Sequence, residues 1–204
     1  ETLDQAKDAA EMVEVDYQIL PAVVDAEVAM EDGAPQVWPD CPDNLSFKQE
    51  MGDSEATEAA FTAAKYIVKL RSIVNRSSAN TIEARGTNAN YDPASGHCTV
   101  YVGTQGAFGM RKTLAELIFN DTENNFRVIT GNMGGSFGMK GVYAETLLTV
   151  WASRKLHRPV KWENERTDSI LSDYHGRDKI SDAELALDEN GKFLGLRVTT
   201  IANL

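Results

Sequence analysis

The sequence has few residues that could bind a metal. Cys41 and Cys98 lie 57 positions apart without a Cys-x-x-Cys pair, and no histidine is spaced i, i+4 from another metal-type ligand. This arrangement excludes a zinc ribbon and an iron–sulfur ligand set formed by this segment alone. Two cysteines without a partner motif are typical of structural thiols in a reducing compartment. We therefore expect no metal ligand in this chain and a cytoplasmic location.

Basic residues and long apolar runs are also scarce. Lysine and arginine together number 20 against 31 aspartates and glutamates, which gives a net charge of −11 and a pI near 4.7. Such a charge disfavours nucleic acid as a partner, because its phosphates would repel the protein. No apolar run approaches the ~20 residues of a membrane span. Many of the acidic residues fall within residues 1–58, which we interpret as a solvated surface rather than an acidic docking face.

Glycine, by contrast, is concentrated in one place. Five glycines lie within the eleven residues 131–141, after a β-branched run and before a helix-like segment. Glycine permits positive φ and a close approach of the backbone to a ligand, and free N–H groups ahead of a helix suit an anion. The loop therefore predicts a site that cradles a phosphate or a cofactor. A tight connection between strand and helix is the alternative.

The two commonest phosphate-loop motifs are absent. A Walker loop needs Gly-Lys-Ser/Thr, whereas Met139 separates Gly138 from Lys140 and no hydroxyl follows. A dinucleotide fingerprint needs Gly-x-Gly-x-x-Gly, whereas Gly131 and Gly134 are three positions apart. The sequence therefore predicts neither a P-loop nor a Rossmann site.

Four segments, in order, resemble a different family. The Gly-Gly-Ser-Phe-Gly-Met-Lys core at residues 134–140 is similar to a signature of the large subunit of molybdenum hydroxylases, the xanthine dehydrogenase and aldehyde oxidase family. The other matching segments are Ile82–Gly86 with the hairpin Tyr91–Gly96, then Val102–Gly106, then Arg158–Arg166. The resemblance covers about two thirds of the chain and is closest to the aerobic carbon monoxide dehydrogenase-like branch.

The resemblance implies a fragment of a larger catalytic subunit. Residues 1–52 would be the tail of a preceding hammerhead-like domain plus an extended linker, and residues 53–204 the N-terminal part of the molybdopterin-binding domain. The cofactor would be molybdopterin cytosine dinucleotide with molybdenum. The partners would be an iron–sulfur small subunit and an FAD medium subunit, in a homodimer of heterotrimers. The reaction would oxidise or hydroxylate a small molecule, of the carbon monoxide or aldehyde type, with water as the oxygen source.

The resemblance also assigns roles to residues. Gln105 would donate from its side-chain amide near the metal, and Phe137 would lie beside it, with its N–H donating and its ring shaping the substrate funnel. The implied cofactor-binding residues are Gln105, Gly106, Gly134, Gly135, Ser136, Phe137 and Gly138. Without the resemblance, we interpret Gln105 as a loop residue that caps the next helix. For Phe137, a position in the core then has the same weight as a position at the site. Lys140 would screen a phosphate or be solvated. Arg85 and Arg166 would be structural, each paired with a carboxylate.

Two departures from the family pattern bear on function. Ser136 stands where the family usually has a third glycine, and its hydroxyl would either contact the cofactor or fill space. Gly141 stands where purine-hydroxylating members have a glutamate, so a xanthine-type pocket is not expected. The catalytic glutamate and the cysteine loop of true carbon monoxide oxidation are expected beyond Leu204. Two other hypotheses stay open: a non-catalytic assembly or interaction module that retains the scaffold, and a phosphate-binding domain unrelated to molybdenum.

The hydrophobic periodicity predicts an α+β fold of mixed sheets with packed helices. The predicted helices are Leu3–Met12, Glu55–Lys65 with Asp53 or Ser54 as N-cap, Met110–Phe119, Val142–Leu156 and Asp168–Leu171. The predicted strands are Val13–Ile19, Tyr66–Val74, Thr81–Tyr91, Cys98–Val102, Asn125–Thr130 and Val160–Glu163, with a last hairpin turning at Asp188–Gly191. The residues predicted to pack inward at helical spacing are Met110, Leu114, Leu117 and Ile118, and then Val142, Leu147, Leu148 and Trp151.

Overall fold

The computed structural model describes residues 2–203, which form two compact units. One unit comprises residues 2–73 and 179–203, and the other comprises Val74–Asp178. The helices and strands, in chain order, are α1 (Leu3–Glu11), α2 (Ser54–Ala63), β1 (Tyr66–Ser78), β2 (Gly86–Asp92), β3 (His97–Val102), α3 (Ala107–Lys112), β4 (Phe126–Ile129), α4 (Ala144–Leu156), β5 (Val160–Glu163), α5 (Arg166–Ser172), β6 (His175–Leu187) and β7 (Phe193–Ala202). The predicted α+β fold of mixed sheets with packed helices is confirmed, and the sheets number two among these residues.

The first unit is built on the sheet β1-β6-β7 with α2 packed on it. The predicted N-cap of α2 is confirmed, since the Asp53 carboxylate accepts from the Ala56 N–H at 2.9 Å. The helix approaches β7 so closely that a Cβ added at Gly195 would lie 2.9 Å from the Ala60 Cβ. A larger residue there would push the helix off the sheet, so glycine is needed for this contact.

The segment before α2 has little regular structure. The helix α1 forms as predicted, but the predicted strand Val13–Ile19 is wrong, because these residues are exposed and have no regular structure. An alternating pattern forms a strand only where a neighbouring strand completes its hydrogen bonds. No strand in residues 2–203 pairs with this segment.

The second unit is built on a four-stranded sheet, with strand order β4-β3-β2-β5. The strands β3 and β4 are parallel, whereas β2 runs antiparallel to both β3 and β5. A parallel pair needs a crossover connection, which α3 and its continuation provide. The core lies between this sheet and the helices, and its fully buried side chains include Val100, Met110, Leu114 and Val150.

The helix α4 is confirmed, and Val142 and Leu147 pack against the core as predicted, but the predicted burial of Leu148 and Trp151 is wrong. Leu148 is 60% exposed and Trp151 is 50% exposed, while hydroxyl residues face the sheet. The Thr146 hydroxyl lies 3.1 Å from that of Thr87 on β2. Ser153 accepts from the Tyr91 N–H at 3.0 Å. Small hydroxyl side chains satisfy their polar atoms locally and let the helix approach the strand closely, which leaves the larger apolar residues outside.

The predicted helix Met110–Phe119 changes type along its length. It is α-helical to Lys112 and π-helical from Thr113 to Phe119. Met110 and Leu114 are buried as predicted, but Leu117 is 76% exposed. A π-helix has more residues per turn than the 3.6 assumed for the pattern, so residues late in the segment rotate out of the buried face.

Candidate functional site

The site lies at one edge of the sheet in the second unit. The parallel strands β3 and β4 end at Val102 and Ile129, and a loop follows each of them. Loops after neighbouring parallel strands emerge at the same edge, where α/β sheets commonly bind ligands. The turn that contains Gln105 therefore meets the glycine-rich loop, residues 130–143, although the two are more than twenty residues apart in sequence.

A hydrogen bond between side chain and backbone joins the two loops. The Gln105 Oε1 accepts from the Gly138 N–H at 2.9 Å, and the Gln105 N–H donates to the Lys140 carbonyl at 3.4 Å. The amide oxygen is thereby occupied, and no described residue accepts from the Gln105 Nε2. Since that nitrogen carries two hydrogens, Gln105 presents neutral donors to a ligand at this edge.

Phe137 occupies an unusual position in the glycine-rich loop. Its φ is 51°, in the left-handed region, and its side chain is 78% exposed. A bulky residue rarely adopts such a conformation, which costs on the order of 1–3 kcal/mol. Its ring lies against the Gly135 backbone, where an added Cβ would come within 3.0 Å of it. Phe137 is therefore not a core residue, and its ring faces solvent beside the Gln105 turn.

The glycine-rich loop also has unused backbone donors. The successive N–H groups of Gly135, Ser136 and Phe137 have no acceptor among residues 2–203, whereas those of Gly134 and Gly138 are bonded within the protein. Consecutive free N–H groups in a loop with left-handed residues are typical of anion-binding concavities. These donors, together with the Gln105 amide, suit a ligand that presents oxygen atoms and negative charge.

Gly134 is needed for packing inside the protein. A Cβ at this position would lie 2.6 Å from the Glu83 Cβ, so no other residue fits. The Gly134 N–H donates to Glu83 Oε2 at 2.6 Å, and the Glu83 N–H donates back to the Gly134 carbonyl at 3.2 Å. Gly106, in the other loop, donates to the Thr104 hydroxyl at 3.2 Å and precedes α3. Gly134 thus permits a close contact inside the protein, whereas a Cβ at Gly106 would meet open space.

The buried side chains of the glycine-rich loop include those of Ser136 and Lys140. The Ser136 hydroxyl accepts from the Lys140 N–H at 3.1 Å, so it closes the loop on itself. The Lys140 ammonium donates to Glu83 Oε2 at 3.0 Å, and its side chain is 1% exposed. The prediction of a solvated lysine is therefore wrong. Burial would raise the pKa of the Glu83 carboxyl, but the Gly134 N–H and the Lys140 ammonium together hold this pKa below its usual value.

A buried arginine supports the end of the loop. Arg85 pairs with Asp173 at 2.6 Å and with Glu145 at 3.2 Å, which confirms the predicted carboxylate pairing. Its guanidinium lies 3.7 Å from the centre of the Tyr143 ring. The Tyr143 hydroxyl donates to the Met139 carbonyl at 3.0 Å, so Arg85 acts on the loop through this tyrosine.

The second predicted structural arginine behaves differently. Arg166 donates to the carbonyls of Thr81 and Ile82 at 2.8 and 2.7 Å, instead of pairing with a carboxylate.

Sequence reasoning also missed Glu83 and Tyr143 as parts of the site. Glu83 stands inside the segment Ile82–Gly86 that carried the family resemblance, so its position in a matched motif was the available signal.

Two classes of feature are absent from the described residues. No group of three His, Cys, Asp or Glu side chains within residues 2–203 could hold a metal ion. No helix in this part of the chain is long and apolar enough to cross a membrane.

The chain is similar to known proteins over most of its length. Residues 37–204 match the family model described as the molybdopterin cofactor-binding domain. The chain is 33% identical over 194 residues to the 6-hydroxypseudooxynicotine dehydrogenase complex subunit gamma of Paenarthrobacter nicotinovorans, covering 94% of this chain and 24% of that protein. It is 33% identical over 211 residues to the carbon monoxide dehydrogenase large chain of Hydrogenophaga pseudoflava, covering 97% and 26%.

A solved structure is also similar. The reconstituted CO dehydrogenase from Oligotropha carboxidovorans superposes with a TM-score of 0.91 at 32% identity, covering 98% of this chain and 26% of that one. The chain thus spans about a quarter of the length of the proteins it matches.

Proposed function

Because the chain belongs to the molybdopterin cofactor-binding domain family, in the group of carbon monoxide dehydrogenase large chains and xanthine dehydrogenases, we propose that it forms one wall of the active site of a molybdenum-dependent dehydrogenase or hydroxylase. The predicted family and fold class are confirmed by the family model and by the superposition. The catalytic function of this chain is our inference. The chain would act as a segment of a larger catalytic subunit.

The bond between Gln105 Oε1 and the Gly138 N–H carries the proposal. It orients the side-chain amide, so that both hydrogens on Nε2 are available to an oxygen atom of a bound cofactor. A glutamine supplies these donors without adding a charge of its own. When bound, a molybdenum cofactor supplies two-electron oxidation and transfer of an oxygen atom that comes from water, while the protein supplies orientation and electrostatics.

Other residues would complete this wall. The free N–H groups of Gly135, Ser136 and Phe137 would donate to cofactor oxygens, as preorganised backbone donors do at anionic centres. The exposed Phe137 ring would narrow the path of a small substrate and exclude water. Gly134 and Gly138 would let the glycine-rich loop approach the turn of Gln105, and Gly106 would contact the cofactor from that turn.

The substrate, the nucleotide form of the cofactor and the partner subunits are a more detailed part of the proposal. We infer a small substrate of the carbon monoxide or aldehyde type, a cytosine dinucleotide form of the cofactor, and assembly with an iron–sulfur and an FAD subunit as a homodimer of heterotrimers in the cytoplasm. The names of the relatives support a multi-subunit enzyme, since one is a "large chain" and another a "complex subunit". We further propose that residues 1–52 are a hammerhead tail and linker, and that 53–204 begin the cofactor-binding domain.

The test is the metal and nucleotide content of the complete protein, purified with its candidate partner subunits. Near-stoichiometric molybdenum with a released cytosine nucleotide is expected. A folded complex with neither would overturn the proposal and favour the alternative of a non-catalytic interaction module. Nucleotide without molybdenum would instead favour an unrelated phosphate-binding domain.

A further inference from the structure

Lys140 joins the two loops of the site through every polar group it has. Its ammonium donates to Glu83 at 3.0 Å, and its backbone N–H donates to the Ser136 hydroxyl at 3.1 Å. Its carbonyl accepts from the Gln105 N–H at 3.4 Å and from the Thr104 hydroxyl at 3.3 Å. Lys140 therefore links the glycine-rich loop to the turn that carries Gln105.

Glu83 holds the same loop at two points. One carboxylate oxygen, Oε2, accepts from the Gly134 N–H at 2.6 Å and from the Lys140 ammonium at 3.0 Å. Phe137 lies midway between these two attachment points. A single oxygen thus fixes the span of residues 134–140 and with it the place at which Phe137 presents its ring and N–H.

The segment that carries Glu83 is itself fixed. The Thr81 hydroxyl donates to the Glu83 carbonyl at 2.7 Å. Arg166, at the start of α5, donates to the carbonyls of Thr81 and Ile82. Glu83 is therefore attached to a braced backbone, so its carboxylate can act as a fixed anchor for the loop.

We propose that Glu83 and Lys140 are a positioning pair, which sets the separation between Gln105 and Phe137, and that Lys140 is not a phosphate ligand. The inference rests on the proposed function of this site. The burial of Lys140 provides the physical reason, since a buried ammonium without its carboxylate is strongly unfavourable. Loss of either partner should move the loop, although neither side chain needs to touch the cofactor.

The test uses Glu83→Gln, Lys140→Met and the double variant of the complete protein. Each single variant should retain molybdenum and nucleotide roughly 10- to 100-fold less tightly, as is typical for residues that orient metal ligands. The double variant should retain molybdenum and nucleotide at least as tightly as the single variant that retains them less tightly, because both substitutions break the same interaction. Molybdenum that remains should show a shifted Mo(V) electron paramagnetic resonance spectrum, which a loss of fold stability alone would not produce.

Two outcomes would overturn this inference. If Lys140 is a phosphate ligand, Lys140→Met loses the nucleotide whereas Glu83→Gln keeps it, and the double variant loses it to the same extent as Lys140→Met. If the pair has no role at the site, all three variants keep wild-type metal content and spectrum. Should a single variant fail to fold, the double variant, which leaves neither charge uncompensated, still tests the pair, because wild-type metal content and spectrum in it would overturn the inference.

The matched control is the exposed pair Lys161 and Glu163 on β5, whose charged atoms lie 2.8 Å apart. Lys161→Met and Glu163→Gln remove the same charges and should change neither the metal content nor the spectrum. Failure of the proposed function is distinguishable, because the wild-type complex would then lack molybdenum altogether. If the wild-type complex contains molybdenum and the variants are unaffected, only the positioning role of Glu83 and Lys140 is contradicted.

Discussion

The two units differ in where their apolar side chains lie. Among residues 2–203, ten of the twelve buried apolar residues belong to Val74–Asp178, and the first unit contributes Phe61 and Ala186. The first unit instead leaves large apolar residues of its sheet exposed, among them Val68, Leu70 and Leu196. Since burial of apolar area is the main source of stability, equivalent substitutions should have very different effects in the two units.

The sheet of the first unit shows why its apolar residues are exposed. Lys69 pairs with Glu184 at 2.7 Å and Arg71 with Asp182 at 2.9 Å, so these four charged residues share one face. Side chains alternate along a strand, which places Val68 and other apolar residues on the opposite face. No element among the described residues of this unit covers that face.

The largest effect is expected from the buried arginine of the second unit. Arg85→Met should lower the free energy of unfolding by about 3–5 kcal/mol, because it leaves the buried Asp173 carboxylate without its partner. The matched change in the first unit is Arg197→Met, which removes exposed ion pairs with Glu58 and Glu184 and should have little effect. Urea unfolding of both variants measures this contrast. Equal losses in the free energy of unfolding would contradict the difference that we expect between the two units.

Leucine-to-alanine substitutions in the two units should show the same difference in stability. Leu114 is fully buried, so Leu114→Ala should cost about 2–5 kcal/mol through lost burial and a cavity. Leu196 is mostly exposed, so Leu196→Ala should stay within about 0.5 kcal/mol. The shift in denaturant midpoint measures the change in the free energy of unfolding of each variant. A large loss from Leu196→Ala would mean that the apolar face of the first sheet is covered in the protein.

The functional contrast concerns two glutamines. In the complete enzyme, Gln105→Ala should lower kcat by about 10²–10³-fold, as is typical when one donor to a developing charge is removed. Its unfolding curve should stay unchanged. Gln36 in the first unit also uses its side-chain amide, which donates to the Trp38 and Pro39 carbonyls, and Gln36→Ala should leave turnover intact. Wild-type turnover by Gln105→Ala would contradict the site assignment.

The smallest effect separates the two cysteines. Burial raises the pKa of the Cys98 thiol to about 11, and Cys41 is partly exposed. Iodoacetamide at pH 8 should therefore label Cys41 and spare Cys98, as peptide mass spectrometry would show. Because the folded-state pKa of Cys98 lies above its ordinary value of 9.0, this thiol should also reduce stability as the pH rises between these values. Rapid labelling of native Cys98 would mean that the core opens readily.

The two loops of the candidate site could be selected from the sequence, whereas the contacts that hold them could not. Gln105 and the glycine-rich loop lie in short contiguous motifs, which a family resemblance can match, and the structure brings these loops together. The pairing of Glu83 with Lys140 joins residues 57 positions apart, and nothing in either local pattern specifies it. Such a contact depends on how two segments meet at the sheet edge, which only the fold determines.

Helix burial was predicted poorly for a different reason. Counting apolar residues placed Leu148 and Trp151 inward, but α4 buries Thr146, Thr149 and Ser153, whose hydroxyls find partners on neighbouring backbone or side chains. A face of small hydroxyl residues at helical spacing was the available signal. A hydrophobicity pattern assigns such residues to solvent, so the error lay in the assumption that buried means apolar.

The left-handed backbone of Phe137 has a consequence for how this sequence would change under selection. Glycine would adopt that conformation without strain, so Phe137→Gly should leave the fold as stable or more so while removing the exposed ring. A screen for thermostability alone would therefore tend to discard the phenylalanine, in the manner of a stability–activity trade-off. The role that we propose for the ring at the site is the reason we expect selection for activity to keep it there.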